Sequence, residues 1–182
     1  MNNMSIREFK PTILFLAKFI AIYVVANLVY GFYVSAYWPG PDRITSEVSR
    51  QTSIALNLYG WETHIKDSTT KPVTVLSNTN QPVLHIYEGC NGVNVMIIFV
   101  AFLVAFGPMR RAMLWFIPVG LTVIHLFNLF RVGLLYWVAL YRPDFMYLLH
   151  KYFFTAVLYI VVFLLWIVWV RKSSIVKQVR TA

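Results

Sequence analysis

Residues Phe145–Val170 read FMYLLHKYFFTAVLYIVVFLLWIVWV, and this stretch decides what kind of fold the chain can adopt. After His150 and Lys151 it carries no charged residue before Arg171. About 20 mainly apolar residues cross the hydrocarbon core of a bilayer as a helix, so the stretch reads as a membrane span. Three further runs read the same way, placing spans at about 12–38, 90–107, 112–134 and 145–170. Composition agrees: 59% of residues are hydrophobic and 13% charged, where a soluble domain has about a quarter charged. The expected fold is an all-α integral membrane protein, one membrane domain over 1–182, with four transmembrane helices. The first run is too long, and too polar beyond its end, for a cleaved signal peptide, and reads as a retained anchor.

Charge placement gives the orientation. Arg7, Lys10, Arg110, Arg111, Arg171, Lys172, Lys177 and Arg180 flank the spans on one side, opposed only by Glu8, leaving +7 there. The other side holds seven cations (Arg43, Arg50, Lys66, Lys71, Arg131, Arg142, Lys151) against Asp42, Glu47, Glu62, Asp67, Glu88 and Asp144, leaving +1. Lys18, within the first span, completes the formal +9. Positive flanks mark the cytoplasmic side, so both termini are expected there, with the segment at about 39–89 outside. The basic balance is a topology signal and argues against a nucleic-acid partner.

In the outer segment, Ile44, Val48, Ile54, Leu56 and Leu58 fit an amphipathic helix on the membrane surface, with Thr45 or Ser46 as caps. KPVTVLSNTNQPVLHIYEG reads as two short strands around SNTNQ, a hairpin. The one cysteine excludes an intramolecular disulfide, and no Cys-x-x-Cys motif is present. A metal site at His85, Cys90 and His150 has no ligand spacing to support it, and no cofactor is expected.

The chemistry-bearing residues share a depth. Cys90 stands 20 positions before Arg110, Arg131 stands 20 after Arg111, and His150 stands 21 before Arg171. On continuous helices each lies about 30 Å from the inner boundary. Asn94, four residues after Cys90, is expected on the same helical face, and His125, Asn128 and Arg131 form a stripe at i, i+3, i+6. Polar groups inside a membrane are costly and commonly face a bundle interior or a wet cavity. Each residue alone has a bland reading: an inert buried thiol, a snorkelling arginine, an interfacial histidine, asparagines that cross-link helices. Three complementary groups at one depth favour chemistry. A helix N-terminus and nearby cations favour a thiolate at Cys90. Gly89 and Gly92 leave room for another backbone. Cysteine, histidine and arginine together suit acyl transfer at an amide.

The chain here resembles a known family. EGCNG at Glu88–Gly92, NLFR at Asn128–Arg131 and the histidine at His150 are similar to the signature positions of the exosortase/archaeosortase family, most of all its short exosortase F type from Bacteroidetes. The resemblance covers roughly half the chain. It implies a thiol protease and transpeptidase of a bacterial inner membrane, cleaving the C-terminal transmembrane sorting signal of exported proteins on the periplasmic face. Carried over, Cys90 is the nucleophile, Arg131 stabilises the transition state and His150 is the acid and base. Asn128, Asn94 and Glu88 would support them, and Gly89, Asn91, Gly92 and His125 would meet substrate. Membrane lipids, a lipid-linked or amine acceptor and an accessory membrane protein are the other expected partners. Larger family members have more spans, and Asn91 stands where a small residue such as serine is common. The competing reading is a non-enzymatic accessory subunit of an export or surface-polymer system.

Overall fold

The computed structural model describes residues 6–79, 81–107 and 111–181, with the backbone alone for 6–8 and 173–181. Residues 108–110, in the predicted turn between the second and third spans, and Asn80, in the predicted hairpin turn, lie outside the described residues.

Six helices and three strands follow one another as α1 (Ile6–Ser35), α2 (Arg43–Leu58), β1 (His64–Asp67), β2 (Thr74–Ser77), β3 (Pro82–Ile86), α3 (Val93–Phe106), α4 (Arg111–Tyr141), α5 (Met146–Leu148) and α6 (Phe154–Thr181). Among the described residues three stretches are long and apolar enough to cross a membrane: Phe9–Ser35, Arg111–Tyr141 and Pro143–Lys172. The expected second span is a helix of only 14 residues. Its bounds have a local cause. Gly92, at its start, is left-handed with φ 83°, and Gly107, at its end, is extended. Neither conformation continues a helix, so α3 is about 21 Å long.

α3 is the centre of the bundle. Phe99, Ala101, Leu103 and Ala105 are buried on it. Phe99, Leu103, Met113, Ile124, Val162 and Trp169 join α3, α4 and α6 in one core. Gly120 of α4 is a glycine of necessity, because a Cβ there would run into the Phe99 ring. α1 packs against α3 and leaves Ile13, Leu16, Val24, Val25, Leu28 and Val29 exposed, as suits a helix facing lipid.

The segment at about 39–89 differs from expectation in two places. The chain is mostly helical, and the expected hairpin is part of a larger antiparallel sheet in the order β1, β2, β3. The predicted hairpin is β2–β3, with His85 opposite Val75 and Leu84 opposite Leu76. β1 was not predicted: HIKD has one apolar residue and no alternation long enough to register. α2 forms over the predicted residues, but its cap is Asp42, whose Oδ1 accepts from the Ile44 and Thr45 amides at 2.9 and 3.1 Å. Its buried face is Thr45, Val48, Ser49, Thr52 and Ser53. The Ser49 and Thr52 hydroxyls return to the carbonyls four residues back, both at 2.8 Å, which makes burying them tolerable. Ile44, Ile54 and Leu58 are left exposed. A second core joins this segment to the helices through Val48, Leu76, Leu84, Ile86, Val132, Leu135, Tyr136 and Phe154, and Cys90 belongs to it.

Candidate functional site

Between β3 and α3 the chain turns sharply. Tyr87 is extended, Glu88–Cys90 forms one tight turn, and the Cys90 amide donates to the Tyr87 carbonyl at 2.8 Å. Asn91 and left-handed Gly92 then aim the chain into α3. Cys90 therefore lies in the turn, ahead of the helix. The i, i+4 relation to Asn94 does not hold, and Asn94 is exposed on α3.

The turn is tied to α4 by one side chain. Asn128 Nδ2 donates to the Cys90 carbonyl at 3.0 Å, and Asn128 Oδ1 accepts from Arg131 Nη1 at 3.3 Å. Both residues are buried, with Arg131 7% exposed. Arg131 Nε is buried with no hydrogen-bond partner among the described residues. His150 comes from the start of the last span, where Leu149–Phe153 is wound as a π-helix. Such a local widening shifts the register of a side chain and recurs at functional sites. Here it carries His150 to Cys90, with Nε2 3.5 Å from Sγ. Thiol and imidazole are thus in hydrogen-bond contact, and the guanidinium stands one asparagine away.

Electrostatics differ from the expectation. Burial pushes the Cys90 thiol up, and the charge of Arg131 and the hydrogen bonds from Tyr87 oppose this without reversing it. The cysteine rests as a thiol. The helix N-terminus expected to depress it belongs to Val93 and beyond, three residues past Cys90.

A cavity of about 570 Å³ opens over the pair. Cys90 and His150 line it with β3, Tyr87 and the connection at Pro143, Asp144 and Tyr147. Arg131 does not line it. His85 lines it too, yet no group of three His, Cys, Asp or Glu among the described residues is placed to hold a metal ion.

The remaining expected site residues have other surroundings. Asn91 is fully buried, donating to Tyr30 Oη at 2.7 Å and Thr45 Oγ1 at 3.0 Å, while its Oδ1 caps the Val93 amide at 3.0 Å. It joins α1, α2 and α3 and does not face the cavity. His125 Nε2 pairs with Gln51 Oε1 of α2 at 2.7 Å, away from the thiol. Glu88 lines a different depression with Ser35, Trp38 and Pro72. Gly92 gives room to Asn128, whose Cγ would lie 3.0 Å from an added Cβ, and Gly89 to the ring of Tyr87. Both glycines make room for side chains of the chain itself.

Tyr87 was not singled out from the sequence. It interacts with the thiol, and the neighbouring sulfur and burial push its own hydroxyl up, keeping it a neutral donor. Its position three residues before the cysteine carries no signal until the turn is known.

No protein-family model matches the chain, and no curated protein or solved structure matches it either.

Proposed function

We propose that the chain is a cysteine transpeptidase or protease of the exosortase/archaeosortase type, with four spans, cytoplasmic termini and the Cys90 side facing outward. The observation that carries this reading is the 3.5 Å contact between Cys90 Sγ and His150 Nε2 on the wall of an open cavity.

The chemistry follows from the contact. Since Cys90 rests protonated, His150 must take its proton as the sulfur attacks the scissile carbonyl. The carbon–sulfur bond forms and the carbonyl π electrons move to oxygen. Arg131, which does not line the cavity, acts through its positive charge, which already favours the thiolate. When the intermediate collapses, the carbon–nitrogen bond breaks and the leaving amine takes the proton from His150. A thioester remains on Cys90. Water or an amine then attacks it, the thiol is restored and the processed chain departs. A buried thiol that is deprotonated only on demand is also protected from adventitious oxidation.

The test is processing of a membrane-anchored substrate with a C-terminal span and basic tail. Cys90→Ala, His150→Ala and Arg131→Ala are each expected to stop processing while the protein still inserts. Unchanged processing by Cys90→Ala overturns the reading. One observation favours the accessory-subunit alternative: Cys90 is 5% exposed and part of a hydrophobic core. That reading requires the cavity to stay closed to thiol reagents under all conditions.

A further inference from the structure

The cavity above Cys90 touches Val83, Leu84, His85, Ile86 and Tyr87. Successive side chains of a strand point to opposite faces. A cavity lined by five consecutive residues cannot lie against one face, so it runs along the edge. β3 is the last strand of the sheet, and among the described residues β2 is its only strand neighbour. Half of its N–H and C=O groups therefore point away from β2, with no strand to receive them. The far wall is the connection at Pro143, Asp144 and Tyr147, and the wall also holds Cys90 and His150.

Resting on the function proposed above, we propose that the substrate binds as an extended peptide that adds a fourth strand to this sheet along β3, which delivers its scissile carbonyl to Cys90. Three features on the page support this occupant. The volume of about 570 Å³ lies in the range of small-ligand sites and suits a short peptide stretch. The edge leads straight to the reacting pair, because only Tyr87–Gly89 separate β3 from Cys90. Strand addition draws affinity from main-chain hydrogen bonds and specificity from alternate side chains. One side chain set would then face Val132 and Leu135 below the sheet, and the other would face His85 and Tyr87.

The experiment uses the full chain in nanodiscs and reads covalent modification of Cys90 by intact mass. The probes are pentapeptide libraries with a chloromethyl ketone at the C-terminus or a chloroacetyl group at the N-terminus, so that peptide extends to either side of the sulfur. In the reaction a carbon–sulfur bond replaces a carbon–chlorine bond, chloride leaves, and His150 takes the thiol proton. The best probes are then remade with single N-methylated amides. We expect one series to label Cys90 at least tenfold faster than iodoacetamide. Within it, N-methylation should slow labelling about tenfold at every second position and little between. Uniform loss, no loss, or no peptide faster than iodoacetamide overturns the proposal. Its failure is separable from that of the catalytic reading, which stands or falls on processing by Cys90→Ala. Alternation without processing would leave a peptide groove and no enzyme; processing without alternation would leave an enzyme that reads side chains alone.

Discussion

Asn128 holds two parts of the site at once, and a single truncation tests whether they depend on it. Its amide nitrogen fixes the Cys90 carbonyl and its oxygen orients Arg131. Asn128→Ala leaves both without that partner, and processing is expected to fall at least tenfold, since each lost bond in a buried site is worth about 1 kcal/mol or more. Rates measured beside insertion levels check this, and a near-normal rate would show that Asn128 does not position the pair. Gly92→Ala acts on the same contact from the other side. A left-handed φ of 83° costs a side-chain-bearing residue about 1–2 kcal/mol, and the added Cβ crowds Asn128. Lower thermal stability in detergent is expected, and more so than for Gly89→Ala, where the Tyr87 ring can swing aside. The acidity of Cys90 gives a third expectation. Burial raises the thiol, so its alkylation by iodoacetamide should climb with pH and level off only above the ordinary thiol value of about 8.5. A plateau below that value would mean a preformed thiolate. Cys90, Arg131 and His150 were legible because ionisable groups in apolar runs stand out. The roles of Asn91, Gly92 and Tyr87 were not, since they depend on a turn that is neither helix nor strand.

At the scale of elements, Asn91 is the joint. Its amide reaches Tyr30 of α1 and Thr45 of α2, and its oxygen caps α3. Thr45 Oγ1 donates in turn to Asp42 Oδ2 at 2.5 Å, and Asp42 caps α2. Asn91→Ala strands partners on three helices, buried Thr45 among them, which costs about 1–3 kcal/mol. Thermal unfolding should show that loss, while exposed Asn94→Ala should stay within about 0.5 kcal/mol of the parent. Equal stability of the two variants would mean that water replaces the Asn91 amide without cost. The long apolar helices were readable because a run of about 20 apolar residues has one common meaning. Apolar composition places the start of α3 at Cys90, because it does not report that Gly92 is left-handed. α4 runs to Tyr141, beyond the expected 134, because Leu135, Tyr136 and Val138 continue its buried face. The sheet was half readable. Turn-forming residues marked β2 and β3, whereas β1 takes its place from pairing with β2, a long-range cause that a four-residue segment cannot display.

For the whole molecule the open quantity is the number of crossings, and α3 decides it. At 14 residues it is about 21 Å long, against a hydrocarbon core of about 30 Å. It crosses only if the turn before it and the residues after it complete the distance, or if the bilayer thins around it, at fractions of a kcal/mol per Å. It packs against α1, α4 and α6, so a crossing would place it inside the bundle. Parity makes this testable. Four crossings put the residues before α1 and after α6 on one side, and three put them on opposite sides. In a Cys90→Ala background, Lys10→Cys and Lys172→Cys are expected to resist a membrane-impermeant maleimide in intact cells and to react after permeabilisation. Leu58→Cys, 82% exposed on α2, is expected to react in intact cells. Labelling of Lys10→Cys and Lys172→Cys from opposite sides would remove α3 from the spans. Labelling of both from outside would invert the molecule and turn the Cys90 cavity toward the cytoplasm, where no exported substrate remains to be processed.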